Sequence, residues 1–449
     1  HPLAASPCSP LALVVSLAAC GGGGGLETQA PAAAPGPVAE LPSPVADIPV
    51  PDVGGPPASV VLGQPDFKSA QANQGRAVSE RTLNSPRGIA VTPDGALFVV
   101  DKGNNRILRF ASVPTVSGQA ADHVLGQLDF FSSDPAVVRS RLNLPIGVAV
   151  GAGKMAITDA GSHRVLIYDQ IPTDGRAEPS VVIGQPNFDS STPACSAIGL
   201  YLPWGVAITP SGRLIVADTS NSRVLIWDQI PAEGTFNVPP TRVLGQSDTE
   251  HCTFNDDDQN REHDVETGTE RLVATDRTLA FPAGVWSDDN KLVVADLANH
   301  RVLIWNSFPQ DDFQPADVVL GHYTFTNTTP NSEHDAEGRL PNPTARTIVN
   351  PQGVHSDGTR LVVADSLNHR VLVWSNFPTE NGQAANLVLG HSDFDRSVAI
   401  DQDGNGEPDF ATARILHTPS HVQLTPDSLI VSDRLNNRIL LFPIAAPQQ

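Results

Sequence analysis

Short runs of Val, Ile, Leu and Ala recur along this chain, each bounded by Gly, Pro, Asn, Asp or Ser. In LPWGVAITPSGRLIVADTSNSRVLIW, residues 202–227, three such runs follow one another. Gly205–Thr209 is a β-branched run, Pro210–Gly212 a turn signal and Arg213–Ala217 a second run. Asp218–Ser222 is a polar turn and Arg223–Trp227 a third run. Their length, their β-branched content and the lack of a helical period predict three strands joined by tight turns. The stretch is written six times, from Ser85, Leu144, Leu202, Phe281, Asn350 and Thr418. A second phrase, V-L-G-Q or a close variant, alternates with it from Val60, Val124, Val182, Val243, Val318 and Val388.

Three strands from the long unit and one from the short phrase make four antiparallel strands per repeat. Six such repeats predict an all-β fold, a six-bladed β-propeller over residues 58–445, because no single blade buries both of its faces. The first V-L-G strand precedes any complete unit, and the last unit ends at Phe442 after three strands. The N-terminal strand, about residues 60–63, is therefore expected to become the outer strand of the last blade and close the ring.

The motifs P-x-G-V, the apolar run ending in Asp, and N-x-R-V-L-x-W resemble those of the NHL-repeat family of propellers, over about residues 58–445. The sequence departs from the pattern at His421, where the other units have Gly, and at GAGK (151–154), which replaces the TPDG-type turn. It departs again at Val100, Thr158 and Ser432, where the other units have Ala before the Asp. The resemblance implies a binding or scaffolding module. Some NHL-like six-bladed propellers, including the amidating lyase and streptogramin lyase groups, are lyases or hydrolases with a channel metal. That alternative implies a metal or polar cluster at the channel mouth, for which the candidates are His355, His421, Arg87 and Gln352.

The most regular feature is an Asp five residues before an Arg: Asp101/Arg106, Asp159/Arg164, Asp218/Arg223, Asp296/Arg301, Asp365/Arg370 and Asp433/Arg438. A group needed for chemistry is rarely needed six times around a ring, so these pairs are expected to be structural, with Asp satisfying turn amides and pairing with Arg. The Asn two residues before most of these arginines (Asn104, Asn221, Asn299, Asn368 and Asn436) is expected to take a left-handed turn conformation.

Loops of about 249–279, 324–349 and 393–417 enter blades four, five and six, and their length places function on that face. There the residue after the Pro varies: Arg87, Ile146, Trp204, Ala283, Gln352 and Ser420. His355 and His421 on adjacent inner strands are candidate metal ligands. In DQDGNGEPD, Asp401, Asp403, Asn405 and Asp409 have the 1, 3, 5, 9 spacing of a calcium loop, with the Glu407 carbonyl at position 7 and Gly406 at the turn. Thr412 stands at position 12 in place of a bidentate Glu, and no helical pattern flanks the loop, so the loop is not of the EF-hand type.

The net charge of −21 argues against a nucleic-acid partner and leaves a protein, peptide or small molecule at the long-loop face. Four cysteines are too few for a disulfide framework. Cys195 and Cys252 occupy matching places in successive repeats, either bridged in an oxidising compartment or left as two buried thiols. Near the N-terminus, PLALVVSLAA (10–19) is a signal-peptide core too short to span a bilayer. With Cys20 after it in L-A-A-C-G, it resembles the lipobox of bacterial lipoproteins. That resemblance implies removal of residues 1–19, lipidation of Cys20, export to the bacterial cell envelope, periplasmic or at the surface, and membrane attachment through the lipid alone. Residues 20–57, rich in Gly, Pro and Ala, are expected to be a disordered tether.

Overall fold

The computed structural model describes residues 55–268, 272–331, 343–401 and 409–444. Residues 1–19, Cys20 and the tether as far as 54 lie outside them, as do Asp403, Asn405 and Glu407.

Six four-stranded antiparallel sheets form the blades of a propeller. Blade 1 is Pro86–Val91, Leu97–Asp101, Arg106–Phe110 and His123–Leu125, and blade 2 is Pro145–Gly151, Lys154–Asp159, Arg164–Tyr168 and Val181–Ile183. Blade 3 is Val206–Ile208, Leu214–Asp218, Arg223–Trp227 and Arg242–Leu244. Blade 4 is Pro282–Ser287, Leu292–Asp296, Arg301–Trp305 and Val318–Leu320, and blade 5 is Pro351–Ser356, Leu361–Asp365, Arg370–Trp374 and Leu387–Leu389. Blade 6 takes Pro419–Leu424, Ser428–Asp433 and Arg438–Pro443 from the C-terminal end of the chain and Val60–Leu62 from the N-terminal end. That N-terminal strand pairs antiparallel with Arg438–Pro443, Val61 opposite Leu440, and closes the ring. Among the described residues the helical elements are single 3-10 turns.

Period-two alternation sends successive side chains to opposite neighbours. In blade 3, Leu214, Val216, Leu225 and Trp227 pack on Val165, Ile167 and Ile183 of blade 2. The intervening Ile215, Ala217, Val224 and Ile226 pack on Val285, Val294 and Leu303 of blade 4. The closing strand obeys the same rule: Val61 faces the blade 5 side, while Val60 and Leu62 face Ile89, Val99 and Leu108 of blade 1.

The V-L-G-Q phrase has a specific use. Its glycines (63, 126, 184, 245, 321 and 390) all have φ between 81° and 101°, a region that disfavours any Cβ. The turn aims the next side chain back at its own blade. Gln64, Gln127, Gln185 and Gln246 donate Nε2–H to the carbonyls of Asn437, Asn105, His163 and Ser222 at 2.9–3.2 Å. His322 and His391 place Nε2 at 2.9 and 2.8 Å from the Asn299 and Asn368 carbonyls in the same way.

Each Asp/Arg pair is fully buried and staples three segments. Asp101 accepts the Asn84 N–H on Oδ1, and on Oδ2 the Asn104 amide and Arg106 Nε, each at 2.7 Å. Arg106 then donates to the carbonyls of Ser79 and Thr82 in the entering loop and of Phe130 in the outgoing loop. Arg370 does the same with Thr344, Thr347 and Phe394, and Arg438 with Thr412, Ile415 and Phe67. These arginines order the loops that enter and leave the repeat.

The expectation for the asparagines is corrected. Asn104, Asn221, Asn299, Asn368 and Asn436 sit within the 3-10 turns and spend their amide on the Asp carboxylate. The left-handed residue is the next one: Asn105, His163, Ser222, His300, His369 and Asn437, with φ of 51° to 55°. Turn closure needs positive φ one position later, where the chain reverses into the Arg strand.

Candidate functional site

Each blade presents its inner strand to the channel through an x-Pro-x-Gly start. The residue before the Pro has positive φ in all six blades: Ser85, Leu144, Leu202, Phe281, Asn350 and Thr418, at 48° to 53°. A non-glycine residue there costs about 1 kcal/mol or more. Its N–H is held by the left-handed residue of the preceding blade. Asn437 and Asn105 accept the Ser85 and Leu144 N–H on Oδ1 at 2.8 Å. His163, His300 and His369 accept those of Leu202, Asn350 and Thr418 on Nδ1 at 3.0–3.2 Å. Ser222 Oγ is 3.4 Å from the Phe281 N–H. Burial pushes His300 down to about 4, and burial with the nearby His417, His391 and Arg434 pushes His369 down to about 3. Both rings stay neutral, as an Nδ1 acceptor requires.

These latches bring the residue after each Pro to one channel mouth. Arg87, Ile146, Trp204, Ala283, Gln352 and Ser420 line a single small cavity that opens to solvent. The glycines that follow let the inner strands close in: a Cβ on Gly205 would lie 2.1 Å from the Ala283 carbonyl oxygen, and one on Gly284 2.6 Å from that of Gln352. His421 occupies the glycine position of blade 6, so the seam with blade 1 admits a side chain that the other seams exclude.

Arg87 dominates the cavity. It donates to Gln352 Oε1 of blade 5, and its guanidinium lies 5.0 Å over the Trp204 ring of blade 3. It is 7% exposed, and its Nε has no hydrogen-bond partner. Burial, then the charge of Arg434, lowers its pKa well below the usual arginine value. Arg434 follows Asp433 in the turn of blade 6, and its Nε is also buried without a partner. Lys102 follows Asp101 in the matching place of blade 1 and is pulled down to about 8 by burial, then by Arg87 and Arg434.

Of the four residues picked from the sequence, Arg87, Gln352 and His421 line the cavity together. His355 does not line it. Its Nδ1 accepts the Leu424 N–H at 3.3 Å, and its Nε2 lies 2.8 Å from the Gln423 amide. Burial pushes His355 down to about 3 and His421 to about 4. Among the described residues no group of three His, Cys, Asp or Glu is placed to hold a metal ion. Of the acidic loop, Asp401 is buried, and the Asp409 N–H donates to the Ile400 carbonyl at 2.8 Å, so the two ends of 401–409 meet. Cys195 and Cys252 form a disulfide between the loops entering blades 3 and 4. Lys102 and Arg434 escaped sequence reading because they stand beside an Asp whose role was structural. The signal lay in the alignment, where the residue after that Asp is Lys102, Ala160, Thr219, Leu297, Ser366 and Arg434.

The NHL repeat model matches residues 83–110 and 200–227. These matches fall on the first and third blades of the propeller. Each NHL match ends with the third strand of its blade, at Phe110 or Trp227, and contains the Asp/Arg pair. Teneurin-1 of Mus musculus is 26% identical over 186 residues, which cover 37% of this chain and 7% of that protein. Teneurin-1 of Homo sapiens is 25% identical over 186 residues, with the same coverage. The chain thus spans only a small fraction of the length of these relatives. Among solved structures, a nidogen/laminin complex matches with a TM-score of 0.37 at 16% identity, covering 72% of this chain and 88% of that one. Virginiamycin B lyase from Staphylococcus aureus matches with a TM-score of 0.39 at 10% identity, covering 80% of this chain and 95% of that one.

Proposed function

We propose that this propeller is an extracytoplasmic binding module whose ligand docks at the channel mouth on the long-loop face. One observation carries the reading. The scaffold repeats with little change through six blades, while the six positions that converge on the mouth hold six different residues. Repetition serves the architecture, and the architecture has no need for that variety. The Cys195–Cys252 disulfide supports an oxidising compartment, in keeping with export and lipidation at Cys20. The test is a ligand screen of the full chain by thermal shift, repeated on Trp204→Ala and on Lys154→Met at the opposite end of blade 2. Hits abolished by the first substitution and kept by the second support the mouth. Hits indifferent to Trp204 refute it.

A lyase or hydrolase reading rests on His421 and Arg87 lining the same cavity. It requires turnover that His421→Ala abolishes. For the acidic loop we propose calcium, on the spacing of its oxygen-bearing residues and the closure of its ends at Ile400 and Asp409. Elemental analysis of the chain beside Asp401→Ala tests this: calcium absent from both removes the loop from consideration.

A further inference from the structure

Seven arginines are buried among the described residues, and six of them follow one pattern. Arg106, Arg164, Arg223, Arg301, Arg370 and Arg438 each place Nε 2.7–2.8 Å from an Asp carboxylate. Arg87 is the seventh, and among the described residues no carboxylate pairs with it. Its partners are neutral, the Gln352 Oε1 and the face of the Trp204 ring. Carboxylates are not scarce in this chain, where Asp and Glu outnumber Lys and Arg by 49 to 28. A guanidinium stays charged in proteins. A charge taken out of water is costly unless an opposite charge meets it. An amide oxygen and a ring face orient the cation without neutralising it.

The architecture does not ask for a cation at this place. The other blades carry Ile146, Trp204, Ala283, Gln352 and Ser420 there, and none of these is charged. Arg87 also keeps a buried Nε with no partner. Two other polar side chains of the same cavity have theirs: Ser420 Oγ donates to the Pro86 carbonyl at 3.2 Å, and His421 hydrogen-bonds the Ile89 backbone. The cavity that Arg87 lines encloses about 30 Å³. That is room for one water-sized species, and too little for a phosphate ester or a carboxylic acid. A buried cation, a spare donor on it and a one-particle cavity beside it coincide at a single place in the channel.

We propose that the channel cavity binds one small monovalent anion, chloride, on the Arg87 guanidinium, as the counter-charge that an Asp supplies to the other six buried arginines. Water fills the same volume but leaves the charge unmet, so the anion is the species that the buried cation selects. Hydrogen bonds from a charged donor to an anion are the strong ones, and the guanidinium presents its N–H groups as a rigid fork. Trp204 and Gln352 hold that fork in place before the ion arrives, which lowers the ordering cost of binding. The ion goes beyond the docking reading, because Arg87 needs its counter-charge whether or not a larger ligand covers the mouth.

The test is the thermal midpoint of the full chain at pH 7 and constant ionic strength, with sodium chloride or bromide exchanged stepwise for sodium gluconate, an anion too large for the cavity. A ligand of the folded state raises the midpoint by mass action. The expected result is a midpoint about 1–2 °C higher in halide than in gluconate once the halide is roughly tenfold above its dissociation constant. Arg87→Gln is expected to remove that difference and Lys154→Met, at the far end of blade 2, to keep it. Midpoints in gluconate report whether the variants fold. A second readout needs no variant: crystals of the unaltered protein soaked in bromide are expected to show anomalous density within hydrogen-bond reach of Arg87 Nε. Equal midpoints in halide and gluconate, a halide effect that Arg87→Gln keeps, or a water at Arg87 in the bromide crystals overturns the ion. A Trp204-dependent hit in the ligand screen without a halide effect keeps the docking site and removes the ion. A halide effect without such a hit keeps the ion and removes the docking site.

Discussion

His369 Nδ1 accepts the Thr418 N–H at 3.0 Å, so the turn of blade 5 holds the strained residue that starts blade 6. The ring does this only when neutral. His300 and His391 are pushed down to about 4 and His369 to about 3, chiefly by burial, and His355 and His421 lie in the same range. An unfolded histidine titrates near 6.5. The unfolded chain therefore binds more protons between about pH 6.5 and the folded values. Their stabilising effect is complete above pH 6.5 and is lost as the pH falls towards 4, by up to about 1.4 kcal/mol per pH unit for each histidine. Denaturant midpoints measured from pH 7.5 to 4 are expected to fall steeply below 6.5. His369→Asn keeps an acceptor, as Asn105 and Asn437 do in the same place, and is expected to flatten that profile. A profile unchanged by His369→Asn contradicts the latch.

Asp365→Asn is expected to destabilise the protein by about 3–5 kcal/mol, because it leaves Arg370 charged and buried without its counter-ion. The loss is read from urea unfolding. Since Arg370 also ties the carbonyls of Thr344, Thr347 and Phe394, the loops on both sides of blade 5 should gain hydrogen exchange. A cost below about 1 kcal/mol, typical of a surface pair, contradicts the structural role.

Lys102→Met should stabilise the protein. Lys102 is lowered from about 10.5 to about 8 by burial and by Arg87 and Arg434. The unfolded chain binds more protons between those values, so stability rises as the pH climbs from 8 to 10.5, and the penalty is in full force at pH 7. Removing the charge is expected to stabilise the protein by about 2 kcal/mol after discounting for the partly solvated ammonium. A thermal midpoint that drops at pH 7 contradicts the penalty of burying this ammonium.

Breaking the Cys195–Cys252 disulfide opens a loop of 57 residues in sequence between blades 3 and 4. By the loop-entropy account, Cys195→Ser with Cys252→Ser is expected to cost up to about 4 kcal/mol. Calorimetry under reducing and oxidising conditions checks this: the wild-type midpoint should fall with reductant, and that of the double variant should not respond.

Leu62→Ala tests ring closure, since Leu62 packs on blade 1 from the strand that completes blade 6. A loss of about 2–5 kcal/mol is expected, measured as a cooperative shift of the whole unfolding curve. A separate early transition confined to blade 6 contradicts closure by this strand.

The sequence by itself determined the blade. Runs of alternating apolar residues between Gly, Pro and Asp turns allow little but short antiparallel strands, and six copies with an orphan V-L-G strand leave one way to close. The sequence also exposed the six Asp/Arg pairs, because a requirement imposed by a repeated architecture is written in every copy. It misplaced the left-handed residue by one position, since Asn104 and Asn105 are both plausible turn residues and only the backbone geometry separates them. What tertiary structure alone decided is the company each mouth residue keeps. Arg87 and Gln352 are 265 residues apart yet hydrogen-bonded, and His355 was drawn away from the cavity to Gln423 and Leu424. His421 of the last blade and Arg87 of the first line one cavity only because the ring closes. Repeats encode local geometry, whereas a channel mouth is built from one residue per blade, and its chemistry exists only once the blades stand around a common axis.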